Sequence, residues 1–249
     1  MSSRHILITG AASGIGAATA RGLAGNGDVS LTLIDQAEDG LNAIGAELGS
    51  AVQRFIAMDV SDPDAWASLD FGASTLSGAV ICAGVSEAAM ITDMSFAAWR
   101  RVLSINLDGA FLSLQAALRH CADGASIVAV SSATGAKAAP MTAAYGASKA
   151  GLSQLVKVAA LEAAPRGIRV NAVAPGGVKT PMFSTQDFFA DIKKQHGSEE
   201  GAWAALAEAT PLKRFAEPEE IAGLITFLLG SQSEIMTGAI LDCGGGYGL

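Results

Sequence analysis

A continuously apolar run, His5-Ile6-Leu7-Ile8-Thr9, breaks directly into Gly10-Ala11-Ala12-Ser13-Gly14-Ile15-Gly16, and Ala17 to Leu23 then reads as helix. An apolar run without polar alternation is the pattern of a strand buried on both faces. Strand, glycine loop and helix in that order leave few folds open. The glycines let the chain turn sharply and approach a ligand closely. The helix start offers unpaired N–H groups and the positive end of a dipole to a phosphate. The spacing G-x-x-x-G-x-G is not the commoner G-x-G-x-x-G, and a glycine-rich turn without a ligand is the competing reading.

The same alternation continues along the chain. Val29 to Ile34, Val52 to Met58, Ala79 to Cys82, Ala125 to Val130, Gly167 to Val173 and Gly238 to Leu241 read as further strands. Helical patterns lie between them. Phe96 to His120 carries apolar residues at helical spacing, interrupted by Asn106. Thr142 to Ala164 is a second long helix, and Pro218 to Leu229 a third, with Glu219 and Glu220 in its first turn. Ser61-Asp62-Pro63 starts a helix that Gly72 and Gly78 keep short. The expected fold is therefore α/β, a Rossmann-type doubly wound parallel sheet of about seven strands with helices on both faces. Its length suits one domain over 1–249, with a helical lid at about 181–212 that holds Phe183, Phe188, Phe189 and Trp203.

In such a sheet, ligands sit beyond the carboxyl ends of the strands. Asp35 ends the second strand, 19 residues after Gly16 (35 − 16). A carboxylate at that offset accepts from ribose hydroxyls and repels a 2′-phosphate, and Gln36 and Ala37 beside it supply no arginine. This favours NAD over NADP; a solvated loop aspartate is the alternative.

Tyr145 and Lys149 leave the same helical face, one turn apart, in a run of small residues. A nearby ammonium is expected to favour tyrosinate and make the phenol a proton donor and acceptor nearer neutral pH. Alone, a Tyr-x-x-x-Lys pair is common by chance. Ser132, 13 residues earlier (145 − 132) and at the end of a strand leading into that helix, brings a third polar group to the same place.

Charge and composition exclude several classes. The 249 residues carry 16 Lys+Arg against 24 Asp+Glu, a net charge of -8, which argues against nucleic acid and anionic membrane as partners. No apolar run approaches the roughly 18 residues of a membrane span. Cys82, Cys121 and Cys243 read as small buried hydrophobes in a reducing compartment, so a cytoplasmic location is expected. His5, His120 and His196 are scattered, and no metal is expected.

With these motifs in order, the sequence resembles the short-chain dehydrogenase/reductase family, in its short single-domain branch, over nearly the whole chain. Thr9 to Gly16 resembles the family's T-G-x-x-x-G-I-G loop, and Tyr145 to Lys149 its Y-x-x-x-K. Ser132 matches its serine, Asn106 its helix asparagine, and Asn171 through Pro175-Gly176 to Thr180 its N-x-V-x-P-G-x-x-x-T stretch. The resemblance implies Tyr145 as general acid/base. Lys149 would lower its pKa and hold the nicotinamide ribose, and Ser132 would donate to the reacting oxygen. Asn106 would hold a helix bulge and a water leading to Lys149. It implies Gly10, Ser13, Gly14, Ile15 and Gly16 at the pyrophosphate, Asp35 at the adenosine ribose, and Asp59 and Val60 at the adenine. Cys82, Ala83, Gly84, Pro175 and Gly176 would border the cofactor, with Val178 and Thr180 at the carboxamide.

Three departures stand out. Cys82 replaces an asparagine before Ala83-Gly84, the stretch from Asp59 to Gly84 is short, and Gly244 stands where the family often has aspartate. The expected reaction is hydride transfer between NAD and a secondary alcohol or ketone. The substrate is expected to be apolar, cyclic or steroid-like, with Val85, Ala133, Met141, Met182 and Phe183 as apolar wall. Lys179, Lys193 and Lys194 keep a 3-oxoacyl thioester reductase open. An NAD-retaining epimerase and a non-catalytic NAD-binding scaffold are readings from other classes. A homotetramer, or a dimer, is expected by resemblance.

Overall fold

In the computed structural model, which describes residues 4–25, 27–71 and 75–249, the apolar runs become strands of one sheet. β1 (Arg4–Thr9) leads into α1 (Gly14–Gly25), β2 (Val29–Asp35) into α2 (Glu38–Leu48), and β3 (Val52–Ala57) into the five-residue α3 (Pro63–Ala67). β4 (Leu76–Ile81) precedes α4 (Phe96–Leu103) and α5 (Gly109–His120), and β5 (Cys121–Val130) precedes α6 (Ala143–Ala163). β6 (Arg169–Pro175) opens onto α7 (Pro181–Ser184), α8 (Asp187–His196) and α9 (Glu199–Ala207). α10 (Pro218–Leu229) then leads to β7 (Ile240–Cys243).

The strand order is β3-β2-β1-β4-β5-β6-β7, and every neighbouring pair is parallel. The order reverses between β1 and β4, where crossovers leave toward opposite edges and a crevice opens at the carboxyl ends. The alternation of side chains sorts the strands onto two cores. Ile6, Ile8, Leu31, Leu33, Val80 and Val128 pack with Leu23, Ile221 and Ile225 on the α1/α10 side. Leu7, Ile34, Ala79, Ile81, Ile127 and Val170 pack with Leu114, Leu152 and Val156 on the α5/α6 side. Each fully buried Leu or Ile contributes about 1.5–3 kcal/mol. With both faces covered, the strands need no polar alternation.

Element bounds differ from expectation in places. β5 begins at Cys121, four residues earlier than the apolar run, and β7 is shifted to Ile240–Cys243. Gly72 lies outside the described residues. The helix expected from Phe96 to His120 is interrupted by a π-helical turn at Ser104–Asp108, the bulge at Asn106 that the resemblance implies, which inserts a residue into the i→i−4 ladder. The capping signals at the other helix starts hold. The Asp62 carboxylate accepts from the N–H groups of Asp64 and Ala65, and Glu217 with Glu220 forms a capping box on α10.

Candidate active site

The carboxyl ends of β3, β2, β1, β4, β5 and β6 border one cleft of about 440 Å³. Five strand steps separate β3 from β6, about 24 Å at ~4.8 Å per step. The cleft is thus long and narrow, with Asp35, Asp59 and Val60 toward one end and Ser132, Tyr145 and Lys149 toward the other.

The glycine loop crosses its middle. Gly10 has φ +69°, and a Cβ there would lie 2.8 Å from Ala83 Cα. Only glycine lets β1 and β4 close this tightly at the switch point. Thr9 Oγ1 accepts from the N–H groups of Cys82 and Ala83 at 3.1 and 3.3 Å, which fixes the β4 end against the β1 end. Beyond the loop, the Asp35 carboxylate accepts from Ala12 N at 3.0 Å through Oδ2 and from Ala37 N at 3.0 Å through Oδ1. One bond on each oxygen orients the group and leaves lone pairs for a diol.

At the other end, Ser132 follows β5, and Thr134 N donates to its hydroxyl at 3.2 Å. Tyr145 and Lys149 project from the first turns of α6. Lys149 Nζ donates to Val130 O at 2.8 Å and lies 5.7 Å from the centre of the Tyr145 ring. Ser131 Oγ donates to Lys149 O at 3.1 Å and pairs with Ser153 Oγ at 2.7 Å, so α6 is tied to β5 beside the lysine.

Residues 10–248 match the family model described as Enoyl-(Acyl carrier protein) reductase. The cis-4-hydroxycyclohexanecarboxylate dehydrogenase of Sinomonas cyclohexanicum is 39% identical over 255 residues, 98% of this chain and 96% of that relative. The trans-4-hydroxycyclohexanecarboxylate dehydrogenase of the same organism is 37% identical, over 96% of this chain and 91% of that one. The crystal structure of levodione reductase superposes with a TM-score of 0.86 at 28% identity, covering 100% of this chain and 98% of that chain.

The chain belongs to the short-chain dehydrogenase/reductase family.

As a short-chain dehydrogenase/reductase it is an oxidoreductase of CH–OH groups that works with a nicotinamide cofactor. Its cleft fits a dinucleotide on its own evidence. The backbone approach at Gly10 and the α1 start at Gly14 would suit a phosphate, and the Asp35 carboxylate, fixed by two N–H groups, would suit a ribose diol.

Most of the residues named from the sequence border this cleft. They are Gly10, Ser13, Gly14, Ile15, Asp35, Asp59, Val60, Cys82, Ala83, Gly84, Ser132, Tyr145, Lys149, Pro175, Gly176, Val178 and Thr180. Two do not. Gly16 faces inward, where any Cβ would collide with Gly10 O, so it closes the loop on itself. Asn106 is fully buried behind the cleft. Its Oδ1 accepts from Val85 N at 2.8 Å, and its Nδ2 donates to Val85 O and to Ser148 Oγ. Ser148 in turn donates to Tyr145 O at 2.7 Å.

The expected effect of Lys149 on Tyr145 is corrected. Burial pushes the Tyr145 phenol up, and the group that pulls it back is Ser132, through a hydrogen bond. Lys149 is itself pushed down to about 8 by burial, and its hydrogen bond goes to the strand. Burial also pushes the thiols of Cys82 and Cys121 up to about 12 and that of Cys243 up to about 11, so all three are inert near neutral pH.

The apolar wall also differs. Val85, Met182 and Phe183 border the cleft. Ala133 is buried under the tail, and Met141 lines a separate concavity with Met90 and Ile91. Met141 has φ +66° and its carbonyl accepts from Ala89 N, which turns it away before α6 begins. In the lid, Phe189 and Trp203 form a local core with Phe215, and Phe183 packs edge-on to Trp203 and Phe215 while also facing the cleft. Lys179 pairs with Glu217 and Lys193 with Glu199, so these cations are neutralised on the surface.

Sequence reasoning missed Met58, Arg101, Ile105, Ser131, Thr185 and Gln186, which also border the cleft. Ile105 adjoins Asn106 and Arg101 lies one turn before Ile105, so the helix carrying the asparagine held the signal. Thr185 and Gln186 had none beyond their place in the lid.

Proposed function

We propose that this chain interconverts a secondary alcohol and its ketone on a cyclic, largely apolar substrate, with NAD as cofactor. The observation that carries the reading is the pairing, in one cleft, of a Ser132–Tyr145–Lys149 end with an Asp35 end. NAD bound there would supply the hydride acceptor, or its reduced form the donor. Gly10, Ser13, Gly14 and Ile15 would seat the pyrophosphate, Asp35 the adenosine ribose, Asp59 and Val60 the adenine, and Val178 and Thr180 the carboxamide. Asp35 supports NAD over NADP, because a 2′-phosphate would meet a carboxylate already fixed by two N–H groups.

Tyr145 gives or takes the proton at the substrate oxygen. Ser132 donates a hydrogen bond to that oxygen and stabilises charge as it develops. Lys149 holds the nicotinamide ribose. Asn106 is a positioning residue, acting through Val85 and Ser148. The helices at 181–212 serve as a lid, with Phe183 and Met182 against the substrate. The Sinomonas relatives are named for hydroxycyclohexane carboxylates and the superposed reductase for levodione, which supports a ring-bearing substrate. We further assign the chain to one domain, a cytoplasmic location and a homotetramer or dimer. Exposed Phe111, Val158 and Leu161 on α5 and α6 support association.

Formation of reduced cofactor from NAD and from NADP, across cyclohexanols, hydroxycyclohexanecarboxylates, steroid alcohols, open-chain secondary alcohols and hydroxyacyl thioesters, tests the reading. The highest kcat/KM is expected with NAD and a ring alcohol. A preference for hydroxyacyl thioesters would reject the substrate class. Asp35→Ala should narrow the NAD/NADP gap at least tenfold; an unchanged ratio would reject its role.

A further inference from the structure

The stretch after β3 is short for this family, yet the turn it carries is held from three sides. Asp59 Oδ1 accepts from both the N–H and the hydroxyl of Ser61 at 2.8 Å. Asp62 N donates to Asp59 O at 3.1 Å, and the Asp62 side chain caps α3. Trp66, near the end of that five-residue helix and buried, reaches back to donate from Nε1 to Val60 O at 2.8 Å. Gly109, the first residue after the π-helical turn, also lies against Val60. A Cβ on Gly109 would lie 2.8 Å from Val60 Cγ2 and 3.2 Å from Val60 O. Val60 thus meets both an indole N–H and a bare glycine, and it borders the cleft together with Ile105.

Resting on the dinucleotide reading above, we infer that Trp66 is a positioning residue for the adenine end of the cleft. By fixing the Val60 carbonyl it sets the apolar wall on which the base lies. Trp66 packs with Val60 in the core on the α5/α6 side, and its indole adds one directed bond to the turn. Gly109 is its counterpart. It lets α5 approach Val60 without displacing it, so the π-helical turn that carries Asn106 also sets the adenine wall. Loss of the bond leaves a buried carbonyl unpaired, and the turn then shifts to find a partner.

The test uses Trp66→Phe, which keeps a ring and removes the N–H, and Gly109→Ala, which pushes on Val60. Dissociation constants for NAD and for AMP, which carries only the adenosine end, are measured by calorimetry. Both variants should bind NAD and AMP about five- to tenfold more weakly, while kcat at saturating NAD stays within about twofold. Wild-type affinity for AMP in both variants would overturn the inference. So would a kcat loss with AMP binding unchanged. If Trp66→Phe does not fold, Gly109→Ala decides alone. Failure of the wild type to bind NAD or AMP would instead reject the dinucleotide reading itself.

Discussion

Asn106 clamps Val85 at two points, accepting from its N–H at 2.8 Å and donating to its carbonyl at 2.9 Å. The side chain thereby completes, for one residue of the β4–α4 connection, the hydrogen bonds a neighbouring strand would have made. Because Val85 borders the cleft and Ser148 links the same amide to the Tyr145 carbonyl, the clamp registers two walls of the site against each other. Asn106→Ala leaves two half-buried backbone groups of Val85 without their partner and should cost about 1–3 kcal/mol. Urea denaturation measures that loss, and kcat should fall at least tenfold in the variant that remains folded. A variant with wild-type stability would refute the clamp.

Tyr145→Phe keeps the ring and removes the oxygen. Turnover should drop at least ~100-fold, the scale of a lost general acid/base. NAD affinity should stay within about twofold, because the seat for the pyrophosphate lies at the glycine loop. Steady-state rates and cofactor titration separate the two, and retained turnover would remove the phenol from the chemistry.

Lys149 gives a pH dependence with a defined sign. Burial lowers its pKa to about 8, so its charge is present below that value and lost as pH rises through it. NAD carries a negatively charged pyrophosphate, so its affinity should weaken severalfold between pH 7 and pH ~9.5. Lys149→Arg, charged throughout, should flatten the curve. Equal affinity for the wild type at both ends would contradict the assignment.

His5 offers a stability test far from the chemistry. Its Nε2 meets Thr32 Oγ1 at 2.8 Å, its Nδ1 is buried without a hydrogen-bond partner among the described residues, and burial lowers its pKa below 6.5. The unfolded chain therefore takes up a proton at a higher pH than the folded one. Stability should fall as pH drops through about 6.5 toward the lower folded value. In His5→Gln that component should vanish, so the difference in melting temperature between the two proteins should shrink or reverse from pH 7.5 to pH ~5.5. Parallel curves would show that His5 does not titrate as described.

Much of this was legible in the sequence, for reasons that are physical. Parallel strands buried on both faces are continuous apolar runs, so β1, β2 and β4 announce themselves, and the polar residues that end them fall at the cleft. Tyr145, Lys149 and Ser132 were readable because a strand end and the next helix start are neighbours in this topology. The π-helical turn was legible only through Asn106 and the family resemblance, since apolar spacing runs through it unchanged. Met141 was expected in the apolar wall, but a left-handed backbone there sets it in a separate concavity with Met90 and Ile91, and the sequence carries no sign of that turn. Lys149 was credited with a pull on Tyr145 that depends on where an ammonium points, and spacing carries no such direction.

The reversal of strand order between β1 and β4 divides the cleft in two. On the proposed reading, residues up to about 60 would supply the end that meets the adenosine, and residues from about 130 onward most of the end that meets the substrate. Changes in the later half can therefore explore new alcohols while the choice of coenzyme stays fixed, and changes near Asp35 can trade one coenzyme for another without disturbing what is oxidised. A scaffold arranged in this way can diversify one partner at a time.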